Sequence, residues 1–366
     1  MTYKFQPRLD VEWALQRTDG SSVSMSELMR LLAAVEAEGH IAGACQVCGM
    51  SYRHAWGLLR RAEHELERPL LETSRRNGSR LTPFAEHLLW LERRVQARLA
   101  PVLQEVAADL QDEIARQYPE NRPALRMHAS HGFAVEGLMH AAEHSGLSVD
   151  LRYRTAVEAL VSLSRDECDL AGFQVPDGEF EQAILQHYRP WLDASRHCLI
   201  YLARRETGLF LQPGNPRGIA SLQDLARPEV RFVNRQVGSS TRLLLSLMLR
   251  KLNIDPASIR GYETSEFTHM AVAAHIVGGM ADAGIGVQTA AWRCGLDFIP
   301  LATERYFFAV RRDSLATPPM RQFLALLLGP AYREFVGKLA GYDAAELGRV
   351  MSLDEAFGGA VAKQAA

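Results

Sequence analysis

Cysteine is scarce in this sequence, with five residues in 366. A small, odd number spread over a long chain argues against a disulfide framework. Cys45 and Cys48 form a C-x-x-C, yet no second pair stands elsewhere to complete a zinc site. Both read as small core residues, as do the isolated Cys168, Cys198 and Cys294. Long apolar runs are missing too. No stretch reaches the roughly 18 apolar residues of a membrane span, and the N-terminus MTYKFQPRLDVEWALQ lacks the apolar core of a signal peptide. The expectation is a protein of the reducing cytoplasm with no membrane partner. An excess of one charge is also absent: 41 Lys and Arg stand against 43 Asp and Glu, a net charge of −2. That argues against nonspecific coating of nucleic acid but leaves room for a local basic patch. Catalytic signatures are lacking as well. There is no G-x-S-x-G, no Walker motif and no H-E-x-x-H, and the twelve histidines are scattered. His128, His131, His140 and His144 are too loosely spaced to make a metal site. Neither catalysis, a metal nor a cofactor is expected.

What is present is a chain long enough for two or three domains. Residues 8–20 alternate weakly, as a short strand or hairpin would. A helix follows over SMSELMRLLAAVEAEG, with Ser24 or Ser26 to cap it and Gly39 to end it. HIAGACQVCG reads as a second, short helix of small residues, stopped by Gly49 in the left-handed conformation. Ser51 can cap a third helix, 52–66, whose Ala55, Leu58, Leu59, Ala62 and Leu66 face inward. Two helices joined by a short glycine-containing turn form a helix-turn-helix. PLLETSRRNGSRLTPF then reads as strand, turn and strand around Asn77-Gly78, a basic hairpin of the kind called a wing.

In a helix-turn-helix the N-terminal residues of the second helix meet base edges. Ser51, Tyr52, Arg53 and His54 occupy that first turn, Gly57 removes bulk one turn later, and Arg60 lies on the outward face. Arg75, Arg76 and Asn77 crowd the wing. Residues 51–80 hold seven arginines and four glutamates, a local positive excess in a chain that is otherwise acidic. These residues are the candidates for contact with double-stranded DNA. From 84 to about 118, Leu88, Leu91, Val95, Leu99, Val102, Val106 and Leu110 recur three or four apart on one long helix. Such a stripe calls for a partner helix and hence a homo-oligomer, dimer or tetramer. Pro101 should kink or divide it. YPENRP is a linker.

Beyond Leu125 the texture becomes alternating strand and helix: ALRMHAS, LSVDLRYR, CDLAGFQV, HCLIYLA, VRFVNR, ADAGIGV and LDFIPLA read as strands. That alternation predicts an α/β domain with a mostly parallel sheet, in two lobes with a cleft between them. Three strand-to-helix junctions suit an anion, because free N–H groups and the helix dipole point there. They are Ser130-His131, then Asn234-Arg235 with Ser239-Ser240-Thr241-Arg242, then Thr268-His269. Ligands in open α/β sheets bind at such strand ends.

The segment MSYRHAWGLLRRAEHEL, with LLE and LT after it, closely resembles the winged helix-turn-helix of ModE-type molybdate-responsive regulators, itself similar to the LysR-type DNA-binding domain. The resemblance spans roughly residues 20–85, and its most specific part is MSY-x-x-AW. Residues from about 125 to 345 resemble the type 2 periplasmic-binding-protein fold, in the form attached to regulators of molybdoenzyme and formate dehydrogenase operons. This arrangement departs from ModE proteins, whose C-terminal modules are small. The resemblance implies a winged helix-turn-helix over 1–83, a dimerisation helix and linker over 84–123 and a two-lobed α/β sensor over 124–366. It implies a transcription regulator that senses a small anion: an oxyanion such as molybdate or tungstate, or a carboxylate such as formate. The alternatives are a cytoplasmic solute-binding protein without DNA binding, or an enzyme acting on an anion.

Overall fold

The computed structural model describes residues 7–16, 20, 22–74, 78–118 and 123–358. The chain divides into two compact units, Leu9–Leu99, and Ala100–Ala366 together with Met1–Arg8.

In the first unit, β1 (Ala14–Gln16) pairs antiparallel with β2 (Ser22–Ser24). Then come α1 (Met25–Glu38), α2 (Ile41–Cys48) and α3 (Tyr52–Leu66). Their boundaries follow local chemistry. Gly39 and Gly49 end α1 and α2 at φ +70° and +66°, a region in which only glycine avoids a Cβ penalty. The Ser51 hydroxyl accepts the His54 N–H at 3.2 Å and so caps α3. Ser24 sits at the N-cap of α1 without a side-chain bond, while the Ser26 hydroxyl accepts the Trp13 N–H instead. The core gathers Met25, Leu28, Leu31 and Leu32 of α1 against Ala44, Ala55, Leu59 and Ala62. Each such leucine contributes on the order of 2 kcal/mol by burial, and the alanines let the helices approach. β3 (Leu71–Ser74) and β4 (Gly78–Leu81) form the hairpin, with Ser74 opposite Gly78. Its turn end is tied to the close of α1, because the Ser79 N–H donates to the Gly39 carbonyl at 2.9 Å. A Cβ on Gly78 would lie 2.4 Å from that same oxygen, so the approach requires glycine.

A single helix, α4 (Pro83–Gln117), carries the chain from one unit into the other. It is not divided at Pro101. The proline lies just past the boundary between the units, inside an unbroken helix. Leu88 is buried, but Leu91, Val95, Leu99, Val102, Val106 and Leu110 are 36–52% exposed.

The second unit contains β5 (Leu125–Ala129), α5 (Phe133–Ser145), β6 (Val149–Tyr153), α6 (Ala156–Ser164), β7 (Leu170–Pro176) and α7 (Glu181–Tyr188). β8 (His197–Leu211), β9 (Phe232–Arg235), α8 (Ser240–Lys251), β10 (Ser265–Glu266), α9 (His269–Val277), β11 (Ala283–Val287) and α10 (Gln288–Arg293) follow. β12 (Asp297–Arg311), α11 (Pro318–Leu328), α12 (Pro330–Gly337), β13 (Tyr342–Asp343), β14 (Val350–Met351) and α13 (Leu353–Phe357) complete it. The strand order is β10-β9-β11-β8-β12-β7-β5-β6. Each lobe is parallel within itself: β6-β5-β7 on one side, β10-β9-β11 on the other. Between them the two 15-residue strands β8 and β12 run antiparallel to each other, β12 antiparallel to β7 of one lobe and β8 antiparallel to β11 of the other. The sheet is therefore mixed, not mostly parallel. Each lobe has its own core, Phe173, Phe307 and Tyr201 in one and Leu209, Phe232 and Leu245 in the other.

Candidate DNA-reading face and ligand cleft

On α3, Ser51, Arg53, His54, Gly57 and Arg61 line one shallow concavity. Arg53 and Arg60 are exposed, and Tyr52 is 55% exposed with its ring edge-on to Trp56 at 6.2 Å. Arg60 stands 6.0 Å over that indole. Two candidates have internal duties. The Ser51 hydroxyl is engaged as the cap, and His54 Nε2 lies 2.8 Å from Glu27 of α1, which ties the two helices together. Arg75, Arg76 and Asn77 lie outside the described residues.

In the second unit a cavity of about 430 Å³ opens where helices begin. Ser130 and His131 precede α5, Thr155 and Ala156 start α6, Ser239, Ser240 and Thr241 start α8, and Phe267 and His269 flank the start of α9. Helix N-termini present free N–H groups and the positive end of the dipole, so this convergence favours an anion. Seven of the ten residues singled out from sequence line it: Ser130, His131, Arg235, Ser239, Ser240, Thr241 and His269. Three do not. Asn234 is fully buried, with its amide donating to the Tyr262 carbonyl at 3.2 Å and accepting the Arg235 N–H at 2.9 Å. Arg242 turns away to Glu263 at 2.6 Å and stacks over Tyr262. Thr268 caps α9 by accepting the Ala271 N–H at 3.0 Å. Ser239 lines the cavity but is also a cap, accepting the Arg242 N–H at 3.2 Å.

The electrostatics centre on two buried guanidiniums. Arg205 and Glu304, 2% and 1% exposed, pair at 3.0 Å, and the Thr207 hydroxyl donates to the same carboxylate at 2.9 Å. Burial works against the Arg205 charge, but Glu304 together with Tyr342 and Tyr306 outweighs it and holds the pKa above the usual arginine range. Arg235, 3% exposed, has no comparable direct partner, and the Glu266 carboxylate attracts it without forming an ion pair. Its Nη1 donates to the Glu266 carbonyl at 3.2 Å, its Nε has no partner, and it forms no ion pair among the described residues. Burial first, then Arg205, pulls its pKa down to about 9, so it stays charged at neutral pH. The two imidazoles beside it are neutral. Burial and then Arg235 lower His131 to about 3 and His269 well below the ordinary value. The His131 ring stacks on Tyr153 with centroids 3.5 Å apart.

Gln174 of β7, 0% exposed, bridges the lobes: its Nε2 donates to the Ser130 hydroxyl, and its Oε1 accepts from the Ser240 hydroxyl at 2.6 Å. Sequence reasoning missed Arg205, Glu304 and Thr207; DECDLAGFQVP reads from sequence as a cleft-lining segment, without Gln174 being singled out. The signal available was a charged or polar residue in the middle of an otherwise apolar strand, as in LARRETGLFL and LATERYFFAV.

Residues 138–328, just over half of the chain, match the PBP superfamily domain. The chain belongs to the PBP superfamily. Ahead of this PBP domain, residues 26–86 match the lysR family of bacterial regulatory helix-turn-helix proteins. That pairing is the organisation of a LysR-type, ligand-responsive transcription regulator. YvgK of Bacillus subtilis (strain 168), an uncharacterised protein, is 30% identical over 246 residues, 67% of this chain and 79% of its own. An uncharacterised protein from the 5′ region of a ferredoxin 2Fe-2S gene of Clostridium pasteurianum is 32% identical over 111 residues, 30% of this chain and 98% of its own. Among solved structures, a hydrogen-peroxide-bound mutant of Corynebacterium glutamicum OxyR covers 86% of this chain and 94% of its own. Its sequence identity is 17% and its TM-score 0.41. Among the described residues, no helix is long and apolar enough to cross a membrane, and no group of three metal-ligating side chains assembles.

Proposed function

We propose that this PBP-superfamily protein is a transcription regulator that reads double-stranded DNA with the first turn of α3 and the wing. In this reading it assembles as a dimer or tetramer through the exposed stripe of α4, and it senses a small anion in the cleft. Arg53, with Tyr52 and Arg60, meets bases or phosphates, while His54 and Ser51 chiefly set the helix in place. Arg75, Arg76 and Asn77 take the neighbouring backbone. The effector is an oxyanion such as molybdate or tungstate, or a small carboxylate such as formate. Closing the lobes on it shifts the balance between two arrangements of the sensor, which a ligand achieves only through unequal affinity for the two.

The observation that carries this reading is Arg235: a buried guanidinium without an ion pair, facing a cavity ringed by helix N-termini. A buried charge is costly unless compensated, and an anionic ligand supplies the compensation. The test is a thermal-shift panel of molybdate, tungstate, sulfate, phosphate, formate and small dicarboxylates. One anion at about 100 times its Kd should stabilise the wild type by about 2.7 kcal/mol, and Arg235→Met should abolish the response. A wild type that no anion stabilises contradicts the sensing role. A gel-shift on the protein's own promoter region tests DNA binding separately.

A further inference from the structure

The cavity has a wall that belongs to neither lobe. Val102, Gln104, Glu105, Ala108 and Asp109 of α4 line it, in the same compact unit as the lobes. This wall is fastened to β6 and the residue after it. Glu105 accepts from Arg154 Nη1 at 3.2 Å. Arg152 pairs with Asp112 and stands 4.0 Å from Asp109. Gln104 lines the cavity together with Tyr153, whose ring stacks on His131. The α4 face that lines the cavity therefore puts two carboxylates beside a space that Arg235 and the helix N-termini also line. Carboxylates are unfavourable neighbours for a bound anion, and Glu105 occupies Arg154, which an anion would otherwise engage; Arg152 is held mainly by Asp112 and by Asp150 at 3.3 Å.

Building on the anion-sensing reading, we propose that the second half of α4 is a displaceable wall of the cleft, whose Glu105 competes with the anionic effector for Arg154 and whose Asp109 adds a second negative charge that opposes it. The pair at the cavity is weak, because it is half open to solvent: Arg154 and Glu105 are 31% and 58% exposed. A ligand anion inside the cleft forms stronger, charge-assisted hydrogen bonds to the same guanidinium. Effector binding and docking of α4 are then antagonistic, and linkage makes the antagonism reciprocal. Whatever loosens the wall must tighten the ligand by the same factor. Because α4 is continuous from Pro83, this competition acts on the very helix that bears the exposed stripe.

The experiment uses the full-length protein, with molybdate and formate as the probes. In titration calorimetry the double variant Glu105→Gln with Asp109→Asn should bind the probe roughly three- to tenfold more tightly than wild type. Hydrogen exchange over residues 100–117 should rise when the probe is added to wild type. In the double variant it should already be high without the probe. A wild type that binds a probe while the double variant binds no better, or whose exchange over 100–117 does not rise on binding, overturns the displaceable wall alone. A wild type that binds neither probe overturns the anion reading, and the wall with it.

Discussion

The first turn of α3 and the cleft of the second unit both concentrate polar side chains at helix N-termini, yet they are built differently. On α3 the polar groups project into solvent. Tyr52 is half exposed, Arg53 is exposed, and each pays no desolvation cost before its partner arrives. In the cleft Arg235, Thr241 and His269 are nearly or wholly buried. Their desolvation has been met by the folding of the domain around them, so they are already oriented. An exposed face suits a large charged partner that brings its own surface and is approached through salt-screened attraction. A buried set suits a ligand small enough to be enclosed. The comparison predicts unequal responses to mutation, because an uncovered arginine acts in high dielectric and a buried one in low.

The largest effect should come from neither region directly. Leu91→Asp with Val95→Asp puts charges into the exposed stripe of α4, and should convert the oligomer to monomers and abolish tight operator binding, since one half-site alone binds weakly. Light scattering at micromolar concentration checks this, and a monomeric wild type would refute it. Next in size is Arg235→Met, which removes the cavity's unpaired cation. Two charge-assisted hydrogen bonds at about 1.5–3 kcal/mol each correspond to at least a hundredfold loss of anion affinity by calorimetry. Operator binding without ligand should stay intact. On the exposed side, Arg53→Ala should cost about 1–3 kcal/mol on the cognate site and relax its base preference. Replacing Arg75 or Arg76 should weaken all sequences alike and flatten the salt dependence. If Arg53→Ala weakened random DNA as much as the operator, α3 would be a phosphate clamp and not a reader.

The helix-turn-helix was legible because its instructions are local. Ser51, Gly39 and Gly49 each fix a boundary within one or two residues of themselves, and the inward stripe of α3 repeats at 3.6. All seven expected strands of the second unit are present for the same reason. The mixed sheet was not legible. HCLIYLA ends in apolar residues at Ala203, yet β8 continues to Leu211 across Arg204, Arg205 and Glu206. What allows it to continue is Glu304, 99 residues away from Arg205, which neutralises the charge inside the sheet. No local window contains both members of that pair. The cleft was half legible for a related reason. Serines and threonines at strand ends stand out, but which of them faces the cavity and which closes a helix depends on rotamers. Asn234 and Thr268 turned to backbone and Arg242 to Glu263 and Tyr262, while Gln174, inside a strand, became the bridge.

The buried imidazoles give the cleft unit a pH dependence. His131 and His128 are lowered to about 3 and about 4, chiefly by burial, and His269 is lower than its ordinary value for the same reason. Each binds a proton more readily unfolded than folded. Their contribution is therefore fully present above the unfolded pKa near 6.5, and is lost as pH falls from there toward 4. Every such histidine removes up to about 1.4 kcal/mol per pH unit in that window. Urea midpoints of the full chain at pH 7 and pH 5 should differ accordingly, and His128→Gln should reduce the difference. Equal midpoints at the two values would mean that the rings are solvated in solution.

The smallest expected effect separates two hydroxyls two positions apart. Ser239 and Thr241 both line the cavity, but only Ser239 has a structural partner, the Arg242 N–H at the start of α8. Removing an N-cap hydroxyl costs about 0.5–2 kcal/mol of stability. Ser239→Ala should therefore lower the unfolding midpoint while leaving anion affinity within about twofold, a change too small to represent a lost charge-assisted bond. Thr241 is buried to 2% and no side-chain partner fixes its hydroxyl among the described residues. Thr241→Val keeps the shape and deletes the donor, so affinity should fall by roughly ten- to a hundredfold with little change in stability. The two variants thus predict opposite patterns from the same pair of measurements. If Ser239→Ala loses the ligand and Thr241→Val does not, the anion lies nearer the loop Gln236–Ser239 than the helix end. If neither loses it, the hydroxyls serve only the fold of α8, and Arg235 with the backbone N–H groups holds the anion alone.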